Sequence, residues 1–361
     1  MKLIPGALRC PGCGQPTQEG WSDQPYTPAL FQEAPAPRRP IAIFFGVLAG
    51  LLIVIMLLGA AGLFVYYRSR TQNKPPVVGK KGKAGFIDKT GALVIDAKFD
   101  DARSFAEQLA AVQLGGKWGF INKSGALVIS PQFEGAWSFS GGVAEVQRGG
   151  KWGYINKTGT FVIQPTWDST FAFHQGVAAV QFGGMWSFID KQGKRVIDRY
   201  FDSAHSFAEG LASVKVGGKW GFINRAGKFV IDPEFEDAAV FSEGWAPVKK
   251  AGKWFYIDQG RIEMSRKMDS DFGKYDEAGR FSESLAPVRE GSKWGYIDKT
   301  HWTKIQYKFD LAYPFQEGLA SVKQGNKWGH IDKTGEYVIK LQFDYAGPFS
   351  DGLAPVVIGA R

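Results

Sequence analysis

Cys10 and Cys13 are the only cysteines of this 361-residue chain, and their C-x-x-C spacing is that of half a structural zinc site. Such a site takes four ligands, usually from two such pairs, and no histidine precedes His174. The pair therefore reads either as a degenerate module or as half of a zinc centre shared between two chains. Two cysteines also exclude a disulfide framework. Carboxylates such as Asp202 and Glu209 are plentiful, but they recur at regular intervals, which suits turn and strand-end roles better than one acid–base pair. The four histidines, His174, His205, His301 and His330, fall at four different positions of that interval. No nucleophile elbow, phosphate loop or H-E-x-x-H helix is present. The expectation is a protein that is not an enzyme and carries no cofactor beyond that zinc.

Aromatic residues offer more for ligand contact. The regular ones form two ladders: Trp118, Trp152, Trp186, Trp220, Trp254, Trp294 and Trp328, and Phe105, Phe139, Phe173, Phe207, Phe241, Phe281, Phe315 and Phe349. Every interval needs these side chains to hold its neighbour, so they read as a buried seam. Irregular aromatics are better ligand candidates: Trp137, Phe171, Trp302 and Tyr313. Three of them, Trp137, Phe171 and Tyr313, share one position of the interval with Arg103, His205, Ala239 and Gly347. Such variation marks an exposed position and the first place to seek a binding face. A charged insertion, Arg261 to Lys274, contains Arg266 and Lys267; it reads as a solvated loop or as a partner contact, since insertions in repeats map to loops.

The elements that position these residues follow from the spacing. Both ladders step by 34 residues, with one step of 40 between Trp254 and Trp294, and Ala84 takes the tryptophan's place in the first copy. Eight tandem units result. In each, two apolar runs flank a turn that begins with Asn or Asp, as in Lys151 to Ile163, which predicts a β-hairpin. A third strand follows at G-L-A-x-V, as in Gly210 to Val214. Three strands in 34 residues leave no room for a helix, so residues 77–361 are expected to be all-β. Burying about eight large side chains gives ~20 kcal/mol against ~50 kcal/mol for ordering one unit, so units must share strands and core. Val78 falls at a ninth third-strand position, which favours an open β-solenoid or superhelix; a propeller-like ring is the alternative.

The recurring K-W-G-[FY]-I-[DN]-K-[TS]-G, V-I-x-P-x-F-[DE] and F-S-E-G-L-A-x-V resemble the WG-repeat family of bacterial proteins over about four fifths of the chain. The resemblance implies a multi-copy β-repeat region, often attached to a membrane or export segment, with no established enzymatic activity. Ser187 and Phe255 depart from the Gly of W-G, His301 from the turn Gly, and His330 from the aromatic after W-G. Cys10 and Cys13 with Gly14 are similar to the first knuckle of small zinc-ribbon modules; the second knuckle is missing.

Residues 1–40 form a polar tail, and Ile41 to Tyr67 then carry no charged side chain. Roughly 20 such residues suffice to cross a bilayer as a helix, so 41–67 is expected to be a transmembrane helix, with a linker at 68–76. Ala42, Gly46 and Gly50 line one face of it and suit a homodimer contact. Residues 75 onward hold 37 Lys and Arg against 32 Asp and Glu, without the dense basic stripe of a nucleic-acid partner. Arg68, Arg70 and Lys74 after the helix favour cytoplasmic repeats, although the charge rule weakens for long translocated domains. The resemblance to exported-domain proteins favours a cytoplasmic tail with the repeats outside the bacterial plasma membrane. The expected role is a membrane-anchored interaction scaffold with an envelope-protein or cell-wall-glycan partner; a glycan-binding module and a cytoplasmic-face adaptor are the alternatives.

Overall fold

The computed structural model describes residues 82–260 and 275–359, and every regular element among them is a β-strand. No helix of the described residues is long and apolar enough to cross a membrane. The expected helix at 41–67, its Ala42, Gly46 and Gly50 stripe, the Cys10 and Cys13 pair, and Arg266 and Lys267 lie outside the described residues.

Eight small antiparallel sheets form the blades of a closed β-propeller. Blade 1 is typical, with an inner strand Asp101–Ala102, then Ala110–Leu114, Lys117–Ile121 and an outer strand Leu127–Phe133. The expected three-stranded unit is thus corrected to four strands in six of the eight sheets. The additional strand is the two-residue inner one, too short to announce itself by alternation.

Of the two arrangements expected, the propeller-like ring is the one observed, and the open superhelix is corrected. Blade and sequence unit are out of phase: each blade joins the G-L-A strand of one unit to the K-W-G hairpin of the next. The last G-L-A strand, Ala354–Gly359, therefore finds its partner in the first K-W-G strand, Gly82–Ile87, in a six-pair antiparallel register from Gly82↔Gly359 to Ile87↔Ala354. Strands of the two kinds are equal in number once the ring shuts. Val78, on which the ninth strand rested, lies outside the described residues.

The aromatic ladders hold the ring together, as the spacing predicts. At each of the eight blade boundaries the aromatic after W-G meets the ladder Phe of the next blade at 4.8–5.0 Å between centroids, from Phe86–Phe105 to His330–Phe349. Tilted or edge-on pairs of this kind add about 1 kcal/mol each beyond their area burial. Where the residue is Tyr or His it also reaches a backbone carbonyl across the boundary: Tyr154 Oη donates to Phe171 O at 2.9 Å and Tyr256 Oη to Gly279 O at 2.6 Å.

The recurring acids are inter-blade clasps. Glu209 accepts the Gly244 N–H at 3.0 Å, and Glu283 and Glu317 accept those of Gly318 and Gly352 in the same way. Asp351 completes the circle by accepting the Gln108 N–H at 2.8 Å. A second set clamps the opposite ends of the strands. Asp168 takes Lys151 from one blade at 2.5 Å and the Gly183 N–H from the next at 2.7 Å. The lysine hydrogen bond holds the Asp168 carboxyl below the usual range, and Asp276 and Asp310 behave alike.

Candidate functional site

The chain passes along the axis of the ring between each inner strand and its ladder Phe. The side chains it leaves there surround a central cavity of about 660 Å³ to which all eight blades contribute. That volume lies within the range of small-molecule sites. One position of the interval supplies Arg103, Trp137, Phe171, His205, Ala239 and Tyr313 to the cavity wall, with Gly279 and Gly347 at that position in the remaining two blades. This is the variable position expected to be exposed, and the structure places it on the axis instead. Variation is tolerated there because the side chains meet the cavity and one another, while the periodic residues pack between blades.

Trp137, Phe171 and Tyr313 are therefore brought together as cavity wall, joined by Arg103 and His205. Trp302 is not: it is 62% exposed at the tip of the outer hairpin of its blade. The ring residues cover the ladder tryptophans of their own blades. His205 stacks on Trp220 at 4.6 Å and Tyr313 on Trp328 at 5.4 Å. Phe171 lies 5.2 Å from Trp186, and the Arg103 guanidinium sits 4.6 Å from Trp118 and 4.8 Å from Trp137. Arg103 is only 7% exposed, with Asp101 at 3.6 Å, and burial depresses its pKa.

His174 and His205 also share the cavity, a convergence that sequence position gave no reason to expect. The two positions lie three residues apart in the repeat, on the segment after the inner strand that lines the cavity, as Phe171 and His174 do within one blade. Burial, reinforced by the Arg280 charge, lowers the His174 pKa, while Arg280 makes no hydrogen bond or ion pair to any described residue. No group of three or more metal-ligating side chains exists among the described residues.

His330 supplies a pH dependence. It is fully buried, its Nε2 donates to Gly347 O at 2.9 Å, and its Nδ1 has no partner among the described residues. Burial pushes its pKa down from 6.5 to about 4. The unfolded chain therefore binds the extra proton first, and the neutral ring's contribution, complete above pH 6.5, is lost as pH falls towards 4. The loss amounts to about 3 kcal/mol, at ~1.4 kcal/mol for each tenfold change in proton affinity. His205 is also pushed down to about 4 by burial, but it opens on the cavity, where water tempers the penalty, so His330 carries the larger share. Tyr154, Tyr256 and Tyr296 make the same cross-boundary bond without a titrating ring. Replacing His330→Tyr is expected to flatten urea-derived stability between pH 6.5 and 4; an unchanged slope would place the dependence in other groups.

Family comparison agrees with the architecture. The model of the WG containing repeat matches residues 85–118, 118–152, 152–186, 186–220, 220–254, 272–294, 294–328 and 328–360. No curated protein matches the chain. Among solved structures, the chain is similar to a eukaryotic initiation factor, at 12% identity over 74% of this chain and 87% of that one, with a TM-score of 0.48. It is also similar to Hsv2 of Kluyvelomyces marxianus, at 9% identity over 65% and 94% with a TM-score of 0.46. A third is the dihydro-heme d1 dehydrogenase NirN in complex with DHE, at 10% identity over 72% of each chain with a TM-score of 0.46. With eight matched repeats accounting for all eight blades, this chain belongs to the WG containing repeat family.

Proposed function

We propose that this chain is a membrane-anchored WG-repeat propeller that serves as a non-catalytic interaction scaffold, held by residues 41–67 in a bacterial plasma membrane with the propeller on the outer side. One observation carries the scaffold reading: the residues repeated in blade after blade are committed to holding the ring shut. The ladder aromatics fill the blade boundaries, and the recurrent Glu and Asp are clasped by backbone N–H groups and lysines. What differs from blade to blade lies at the cavity and on the exposed edges, where a rigid ring presents surfaces to partners. The anchoring part rests on the charge-free run of 27 residues from Ile41 to Tyr67, and a Cys10 and Cys13 pair kept reduced suits a cytoplasmic tail.

Protease added to osmotically opened cells tests the arrangement. Digestion of residues 77–361, with co-purification of an envelope protein by in-cell crosslinking, is the expected result. Protection of the propeller until lysis would replace it with the cytoplasmic-face adaptor. The glycan-binding reading is favoured by one feature, the open indole of Trp302, and predicts cell-wall saccharide affinity that disappears in Trp302→Ala. Metal analysis tests the shared zinc site: half a zinc per chain, lost in Cys10→Ser, is expected if two tails combine.

A further inference from the structure

Two blades that carry a ladder tryptophan lack a large side chain at the ring position. The ring position is Ala239 in blade 5 and Gly279 in blade 6, and among the described residues no ring lies on Trp254 or Trp294. These are also the ladder indoles that reach the cavity. The gap is built in: a Cβ on Gly279 would stand 2.7 Å from Pro287 Cγ, and Pro247 occupies the matching place beside Ala239. The neighbouring charges are unevenly committed. Glu277 is bound to Arg289 at 2.7 Å, and Asp276 to Lys253 at 2.5 Å and to the Gly291 N–H at 2.7 Å. Arg280, one residue beyond the missing side chain of Gly279, lines the same cavity without an anionic partner among the described residues.

We infer that the recess beside Trp254 and Trp294 binds a small organic anion with a planar ring, the ring lying against an indole that carries no aromatic ring of its own blade and the anionic group on the Arg280 guanidinium. The ligand's ring takes the place that His205 and Tyr313 fill over Trp220 and Trp328 in other blades. An aromatic ring on an indole face contributes attraction beyond its buried area, and a guanidinium pairs with a carboxylate through two parallel N–H donors. Because Arg280 is already half-buried and has no anionic partner among the described residues, the anion relieves an existing penalty rather than breaking a pair. The inference does not depend on which side of the membrane the propeller occupies.

Calorimetric titration of full-length protein with 2-naphthoate, alongside neutral 2-naphthalenemethanol, tests it. The expected result is one 2-naphthoate site per chain, with the alcohol at least tenfold weaker. Arg280→Gln should weaken 2-naphthoate about tenfold and leave the alcohol unchanged, Arg280→Lys should fall between, and Ala239→Phe should exclude both. Should Ala239→Phe not fold, the indole N–H resonances of Trp254 and Trp294, identified with Trp254→Phe and Trp294→Phe, supply the second readout and should shift on titration. Absence of binding, equal affinity for the two compounds, unaltered affinity in Arg280→Gln, or unmoved indole signals would each overturn the inference.

Discussion

A chain carrying Lys83→Cys and Ile358→Cys, with Cys10 and Cys13 replaced by serine, is expected to form an intramolecular disulfide in high yield and to gain about 5 kcal/mol from it. Lys83 and Ile358 are direct cross-strand partners in the blade that joins the first and last strands, and both side chains are exposed on the same face. Paired positions in an antiparallel ladder stand close enough for the bond. The magnitude follows from loop closure: the crosslink ties off nearly the whole ring, and the unfolded-chain entropy it removes grows with the logarithm of loop length, to roughly 5 kcal/mol at this size. What is given up is small, since the exposed Lys83–Asp100 contact at 2.7 Å is worth at most about 1 kcal/mol. In an open array these two residues would lie at opposite ends. A shift in electrophoretic mobility on oxidation, with a raised urea midpoint, is the measurement; a crosslink that forms only between chains would contradict closure.

The parts of this fold written with a fixed period were legible, because a period of 34 residues reports every contact that each blade repeats. The hairpin turn is one. Asn156 accepts N–H bonds from Thr158 and Thr160, and Gly159 follows with φ +84, as the Asn-x-x-Gly pattern requires. The seam of Trp and Phe was legible for the same reason. Closure was not, since it depends on one pairing between segments at opposite ends of the array, and no local pattern distinguishes a final G-L-A strand that meets the first K-W-G strand from one left at an edge. The cavity was half legible. The shared position of Trp137, Phe171, Tyr313, Arg103 and His205 was recognisable as variable, but variation is expected both at a surface and around an axial hole. One signal pointed inward: Ala239, Gly279 and Gly347 coincide with Pro247, Pro287 and Pro355 in the adjoining strand, while Arg103, Phe171, His205 and Tyr313 face the small Ala111, Ala179, Ser213 and Ser321, with Trp137 opposite Glu145 as the exception. Side chains that trade size with a buried strand neighbour belong to a packed interior.

Gly221→Val is expected to release the outer strand of its blade, at a cost of about 4 kcal/mol. The glycine of W-G sits under a bulge: Trp220 pairs with Phe235 and Phe222 with Ile231, so the residues between arch over Gly221. A Cβ there would lie 2.5 Å from Ile231 O and 2.7 Å from Pro233 N, and these backbone atoms have no rotamer by which to retreat. Separation of the strands exposes Ile231 and Phe235, now 0% and 4% accessible, at about 2 kcal/mol each. The protein contains its own precedent. Ser187 replaces this glycine in blade 3, where the sheet keeps only three strands and the outer segment touches it through the isolated bridges Trp186↔Phe201 and Ile189↔Arg195. Hydrogen exchange should therefore accelerate over Phe229–Phe235 in Gly221→Val while the three inner strands of that blade remain protected. Gly218→Ala provides the contrast, since its φ of +80 strains an alanine, at about 1 kcal/mol, but nothing stands within 4 Å of the added carbon. If both variants lost similar stability without selective exchange at Phe229–Phe235, the W-G glycine would be serving backbone conformation alone, and the three-stranded sheet of blade 3 would need another cause.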